Sequence, residues 1–286
     1  SSDLASAINS VYFINVNTGF AGVRFSNVLM RTTNSGKDWN AVCDFSDFCR
    51  NLFFFNESIG FRTKFNNDFT SFTLEKTING GLNWDSIYCP ETAVISIKKI
   101  NDNEFLFLNS KRAYKFNKSE NSWMLIASSA DEYPFVYSDV INSSSYIITC
   151  SNKLIEYTTN GGADWQSRFI PVQGFAISNG NREGITAGNI GKIYYSSPDL
   201  TNFTDVNANK VTEKINGFQI LDENNIFIYA DSNCIVKSSN GGTSWLKVPQ
   251  NFSPNSYSFV NLNTGYAAYN KNVCKTTNGG ISWDTV

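Results

Sequence analysis

One eight-residue pattern returns five times along the 286-residue chain, and nothing else in the sequence narrows the fold as sharply. The copies are Thr32-Thr33-Asn34-Ser35-Gly36-Lys37-Asp38-Trp39, Thr77-Ile78-Asn79-Gly80-Gly81-Leu82-Asn83-Trp84, Thr158-Thr159-Asn160-Gly161-Gly162-Ala163-Asp164-Trp165, Ser238-Ser239-Asn240-Gly241-Gly242-Thr243-Ser244-Trp245 and Thr276-Thr277-Asn278-Gly279-Gly280-Ile281-Ser282-Trp283. Degenerate copies sit in the two long gaps. Lys115 to Trp123 keeps the Trp but loses the Asn and Gly, and Ser196 to Phe203 has Phe where Trp belongs. The aromatic anchors Trp39, Trp84, Trp123, Trp165, Phe203, Trp245 and Trp283 therefore recur every 38–45 residues. A fixed period of about 40 residues is the mark of a repeat architecture, in which each unit buries its apolar surface only against its neighbours.

A second signature precedes the box. Phe13-Ile14-Asn15-Val16-Asn17-Thr18-Gly19-Phe20-Ala21 is matched by Phe259-Val260-Asn261-Leu262-Asn263-Thr264-Gly265-Tyr266-Ala267, and more loosely by Phe54-Phe55-Asn56-Glu57-Ser58-Ile59-Gly60-Phe61. Each reads as strand, polar turn, strand. With the box turn and the Trp strand, the unit holds four strands, the composition of a propeller blade. The expected fold is all-β, a single seven-bladed β-propeller of four-stranded antiparallel blades over 1–286. The expected blades are 8–47, 48–90, 91–128, 129–170, 171–208, 209–250 and 251–286. The box residues are structural in this reading. Asn34, Asn79, Asn160, Asn240 and Asn278 bind backbone N–H groups of their own turn. The second glycine, at Gly81, Gly162, Gly242 and Gly280 and as Gly36 in the first copy, takes a positive φ. The Trp fills the seam between sheets.

The repeated T-x-N-G-G-x-x-W resembles the Asp-box (BNR) repeat, with Asn where Asp is usual. The Asn-Thr-Gly-aromatic-Ala signature is similar to that of the photosystem II assembly/stability factor type of propeller found in bacteria. This resemblance implies a propeller and says little about activity, because such rings host sialidases, xyloglucanases, sorting receptors and assembly factors. The assembly factors carry an arginine-rich patch as a family feature. The seven Arg here, Arg24, Arg31, Arg50, Arg62, Arg112, Arg168 and Arg182, form no cluster in the sequence.

The formal net charge of −2 implies no basic face and argues against a nucleic-acid partner. The absence of His excludes Ser-His-Asp and Cys-His chemistry. With no CxxC pair, no metal site or cofactor is expected. Of the six cysteines, Cys43 and Cys49 flank one short loop and form a disulfide candidate in an oxidising compartment. No apolar run reaches the length of a membrane helix. The opening Ser1-Ser2-Asp3-Leu4 reads like a processed terminus, and a lipid anchor ahead of it is one expectation. An extracytoplasmic location is expected, whether secreted, periplasmic or at the cell surface.

No catalytic set stands out. A glycosidase would need two carboxylates across a cleft, for which Asp131, Glu132, Asp139, Asp222 and Glu223 are the candidates. Aromatic and cationic residues on irregular loops suit a protein interface better. Arg50, Arg62, Lys64, Phe65, Phe69, Tyr133, Phe135 and Arg168 are the expected binding residues. The sequence reading is thus a non-catalytic scaffold that binds another protein, possible in a cell-envelope assembly. Carbohydrate binding or hydrolysis of the Asp-box propeller type is the alternative.

Overall fold

The alternation of apolar and polar residues between turn signals produces strands only. A computed structural model describes residues 8–23, 28–44, 49–65, 72–90, 94–129, 133–151, 154–169, 174–178, 184–188, 193–196, 202–205, 215–222, 224–230 and 233–286. Among these residues the chain forms twenty-eight strands and no helix. Four consecutive strands make each antiparallel sheet, ordered as in the sequence with no exchanged strand. The sheets span 8–44, 49–87, 96–128, 135–169, 174–205, 215–249 and 256–285.

The chain divides into two compact units. One holds Ser1–Thr92 with Pro249–Val286, and the other holds Ala93–Val248. In the first unit, the first and last sheets pack together through residues 245 positions apart in the chain. Val11 N–H donates to Ser256 Oγ and Phe13 N–H to Ser258 Oγ. Ile8 N–H donates to the Asn270 carbonyl. Phe13 stacks on Tyr266 within a core that includes Ile8, Val11, Ala268 and Val273. In the second unit, Leu106, Leu108, Phe135, Tyr146 and Ile148 form a core between the third and fourth sheets.

The turn between the first two strands of a sheet is an Asx turn. Asn15 Oδ1 accepts from the N–H of Asn17 and Thr18. Asn56, Asn101, Asn142, Asp222 and Asn261 do the same two and three residues on. The glycine that follows in three copies is required by packing. A Cβ on Gly19 would lie 2.7 Å from the Phe13 ring, on Gly60 2.8 Å from Phe54, and on Gly265 2.5 Å from Phe259. The aromatic of the first strand thus lies across the start of the second and meets the box Trp edge-on, as in Phe13–Trp39, Phe54–Trp84 and Phe259–Trp283.

Both box glycines have positive φ, not the second alone, and Ser35 occupies the first position at 65°. The Thr or Ser hydroxyl that opens the box accepts from the N–H of the second glycine, at 2.8–3.0 Å in all five copies. The N–H of the residue after the Asn reaches back to a carbonyl of the Asx turn. These bonds are Ser35 to Asn17, Gly80 to Ser58, Gly161 to Ser144, Gly241 to Asn224 and Gly279 to Asn263. The two turns of one sheet are locked together at the same end.

The blade number expected from the aromatic spacing needs correction. The fold is an all-β propeller with four-stranded antiparallel blades, but six blades, not seven, are shown with their turn and plug. The Asx turn and the half-buried Trp occur together in the sheets of Trp39, Trp84, Trp123, Trp165, Trp245 and Trp283. In the sheet spanning 174–205 only the strands are described, and the side chain of Phe203 lies outside the description. Spacing treats any aromatic as a plug. The segment before Phe203, like the one before Trp123, has no Asn-Gly-Gly turn, so aromatic spacing alone does not establish a seventh blade there. The proposed Cys43–Cys49 bridge also lies outside the described side chains.

Candidate interaction surface

Of the residues expected at a binding surface, two are interior. Arg62 is 7% exposed and pairs with Glu75 directly across the adjacent strand. Its guanidinium lies over the Trp84 ring, 4.8 Å from the centroid. Phe135 is 2% exposed and belongs to the core between the third and fourth sheets. Phe135 takes the inward face of its strand while Val136 is exposed, and Arg62 lies on a strand buried on both faces, between Phe61 and Thr63. Tyr133 is exposed, and Arg168 is exposed on the outer strand Gln166–Phe169. The side chains of Arg50, Lys64, Phe65 and Phe69 lie outside the described residues.

Of the acids considered for hydrolysis, Asp139 and Asp222 are described, and each is engaged by local partners. Asp222 caps its own turn, and the Asn225 side-chain bond holds its carboxyl below the usual range. Asp139 is buried, accepts from its neighbour's N–H at Val140, and lies 3.7 Å from Lys98 Nζ. Asp131, Glu132 and Glu223 lie outside the described residues. Burial pushes the Cys150 thiol up to about 12, which leaves it protonated and unreactive at neutral pH.

The first strands of the third and fourth sheets carry a polar seam that sequence reading missed. Lys98 Nζ donates to Tyr137 Oη at 2.6 Å and lies 4.7 Å from its ring centroid. Ser138 Oγ donates to Ser96 Oγ at 3.2 Å. Burial, only partly offset by the Lys98 charge, raises the Tyr137 phenol, so the seam holds its proton at physiological pH.

The outer strands differ in a way that bears on binding. Ser122–Ser128, with sequence SWMLIAS, is the longest of them and has neither charge nor Pro. Every other outer strand carries one or the other: Asp44, Asp85, Arg168, Asp205, Lys247 with Pro249, and Asp284. Such residues are the usual protection of a sheet edge against pairing. On the unprotected strand Met124 is 56% and Leu125 50% exposed. Phe169, Tyr88 and Leu246 add exposed apolar side chains at other outer positions. The signal was legible as an uncharged run after Trp123, but that copy of the box is degenerate and drew attention only as a plug.

No family model matches the chain, and no curated protein matches it. Solved structures do. YCF48 from Cyanidioschyzon merolae superposes with a TM-score of 0.71 at 13% identity, covering 96% of this chain and 97% of that one. A second structure, YCF48 bound to D1 peptide, gives 0.69 at 18% identity with 96% and 92% coverage. PorZ, an essential bacterial surface component of the type-IX secretion system of Porphyromonas gingivalis, gives 0.69 at 10% identity, covering all of this chain and 39% of PorZ. The GH74 xyloglucanase from Xanthomonas campestris gives 0.73 at 7% identity, with 98% of this chain and 53% of the enzyme covered. At these identities the likeness is one of fold: this chain is a β-propeller of the kind seen in YCF48, PorZ and the GH74 enzyme.

Proposed function

We propose that this propeller is a non-catalytic scaffold that binds another protein through an extended segment, outside the cytosol. One observation carries the reading: the long uncharged outer strand Ser122–Ser128, which leaves Met124 and Leu125 exposed where all other outer strands are protected. A sheet edge of this kind offers main-chain hydrogen bonds to a peptide strand, with apolar side chains supplying affinity. Tyr133, five residues after that strand in the chain, is also exposed. Peptide binding by YCF48 and the surface location of PorZ support the reading by analogy of fold. Among the described residues no helix is long and apolar enough to cross a membrane. The test is capture of envelope proteins by the wild type and by the M124K/L125K variant, compared with binding to a glycan array. Loss of a captured protein in the variant is expected. Equal capture, or glycan binding without protein capture, overturns the proposal.

A further inference from the structure

The five boxes share one geometry and differ at one atom. In each, the Asn Oδ1 accepts from the N–H four residues on and from the Thr or Ser hydroxyl two residues before. A backbone N–H can only donate, so the orientation of the amide is fixed and Nδ2 is a donor toward residue four on. Asn240 and Asn278 donate to the hydroxyls of Ser244 and Ser282, at 2.9 and 2.8 Å. Asn34 and Asn160 donate to carboxylates, Asp38 Oδ2 at 2.7 Å and Asp164 Oδ2 at 2.9 Å. A hydroxyl can rotate and donate to a carboxylate, but two carboxylates at that spacing repel and leave no donor between them. Only the box of Asn160 combines an Asp partner with a following glycine, the neighbour that least hinders attack on an Asn side chain. A Cβ at Gly161 would meet nothing within 4 Å.

We propose that Asn160 is a deamidation site whose conversion unlocks the box of the fourth sheet, and that Asp38 and Asp164 make the amide irreplaceable at positions 34 and 160. In the reaction the Gly161 backbone nitrogen loses its proton and attacks Asn160 Cγ, a new N–C bond forms, the Cγ–Nδ2 bond breaks, and the side-chain nitrogen takes up that proton through water and leaves as ammonia. Water then opens the cyclic imide, giving a carboxylate in a normal or an iso-peptide linkage. While the box is closed, Gly161 N–H donates to the Ser144 carbonyl at 2.7 Å, which restrains the nucleophile. The reaction therefore runs from the opened box, and at position 160 the new carboxylate faces Asp164 and opposes reclosure. At 240 and 278 the Ser hydroxyl can turn to donate to a normally linked aspartate, so those boxes close again in that product. The iso-linked product lengthens the main chain and opens the box at any of the three positions.

The variants N160D, N240D and N160D/D164S test this, with N34D and N34D/D38S as a second pair should N160D fail to fold. At pH 7 N160D is expected to melt about 3 °C or more below wild type, with N240D near wild type and N160D/D164S restored. The like-charged pair raises one carboxyl pKa in the folded state. The missing donor is therefore present near pH 4, as a proton held between the two groups, and is lost as pH rises. The N160D deficit should shrink at that pH. In wild-type protein aged at pH 8, the normally linked aspartate product at position 160, separated from the iso-linked form by chromatography, should be enriched in the protease-susceptible fraction, with the normally linked products of 240 and 278 in the resistant fraction. Equal melting of N160D and N240D at both pH values, no rescue by D164S, or an even distribution of the three normally linked products overturns the proposal.

Discussion

At the scale of single residues, the box glycines separate conformational need from steric need. Gly80 and Gly161 hold equivalent positions with φ of 71° and 74°. A Cβ at Gly80 would lie 2.7 Å from the Glu57 carbonyl and 2.9 Å from Arg31 Nη1, whereas the space at Gly161 is open. G161A should cost about 1 kcal/mol, the strain of a left-handed L-residue. G80A should cost roughly 2 kcal/mol more, because the carbonyl it meets is main chain and cannot swing away. Chemical denaturation of the two variants measures the difference, and equal midpoints would contradict it. The residue types of the box were readable because each has a local task. The neighbour pressing on Gly80 belongs to another turn, and no local pattern reports it.

At the scale of strands and sheets, Arg62 shows how far residue type can mislead. An Arg beside a loop suits a binding surface, yet its strand turns it inward onto Glu75 and Trp84. Removing one partner of a buried ion pair strands the other, so R62A should destabilise by about 3–5 kcal/mol. R62M/E75L, which removes both charges and keeps the volume, should be far milder. Denaturant midpoints decide between them, and a neutral R62A would restore Arg62 as a surface candidate. Strand existence and turn type were legible from the two signatures. Which face each strand presents was not, because the bulges recorded in several first strands shift the alternation after the turn.

At the scale of the whole molecule, the unit formed by 1–92 and 249–286 depends on a seam between chain ends. Tyr266 is fully buried, stacks on Phe13, and donates its hydroxyl to the Val16 carbonyl at 3.0 Å. Y266A should cost about 3–5 kcal/mol. Hydrogen exchange should then rise in 8–23 as well as 256–285, although the substitution lies in only one of them. Exchange confined to the last sheet would show that the first is held independently. Within this unit the first and last sheets meet by packing, and among the described residues no strand is exchanged between them.

The order of strands, the turns of the described blades and the seats of Trp39, Trp84 and Trp283 were set by the sequence alone, since each depends on residues within about 40 positions of one another, whereas Trp123 lies inside its strand against Phe107 and Phe116. Tertiary structure decided the rest. It put Arg62 and Phe135 inside, left Met124 and Leu125 exposed on an outer strand, and brought Lys98 to Tyr137. These outcomes follow from what lies on the far side of each strand, and a chain read one residue at a time does not hold that information.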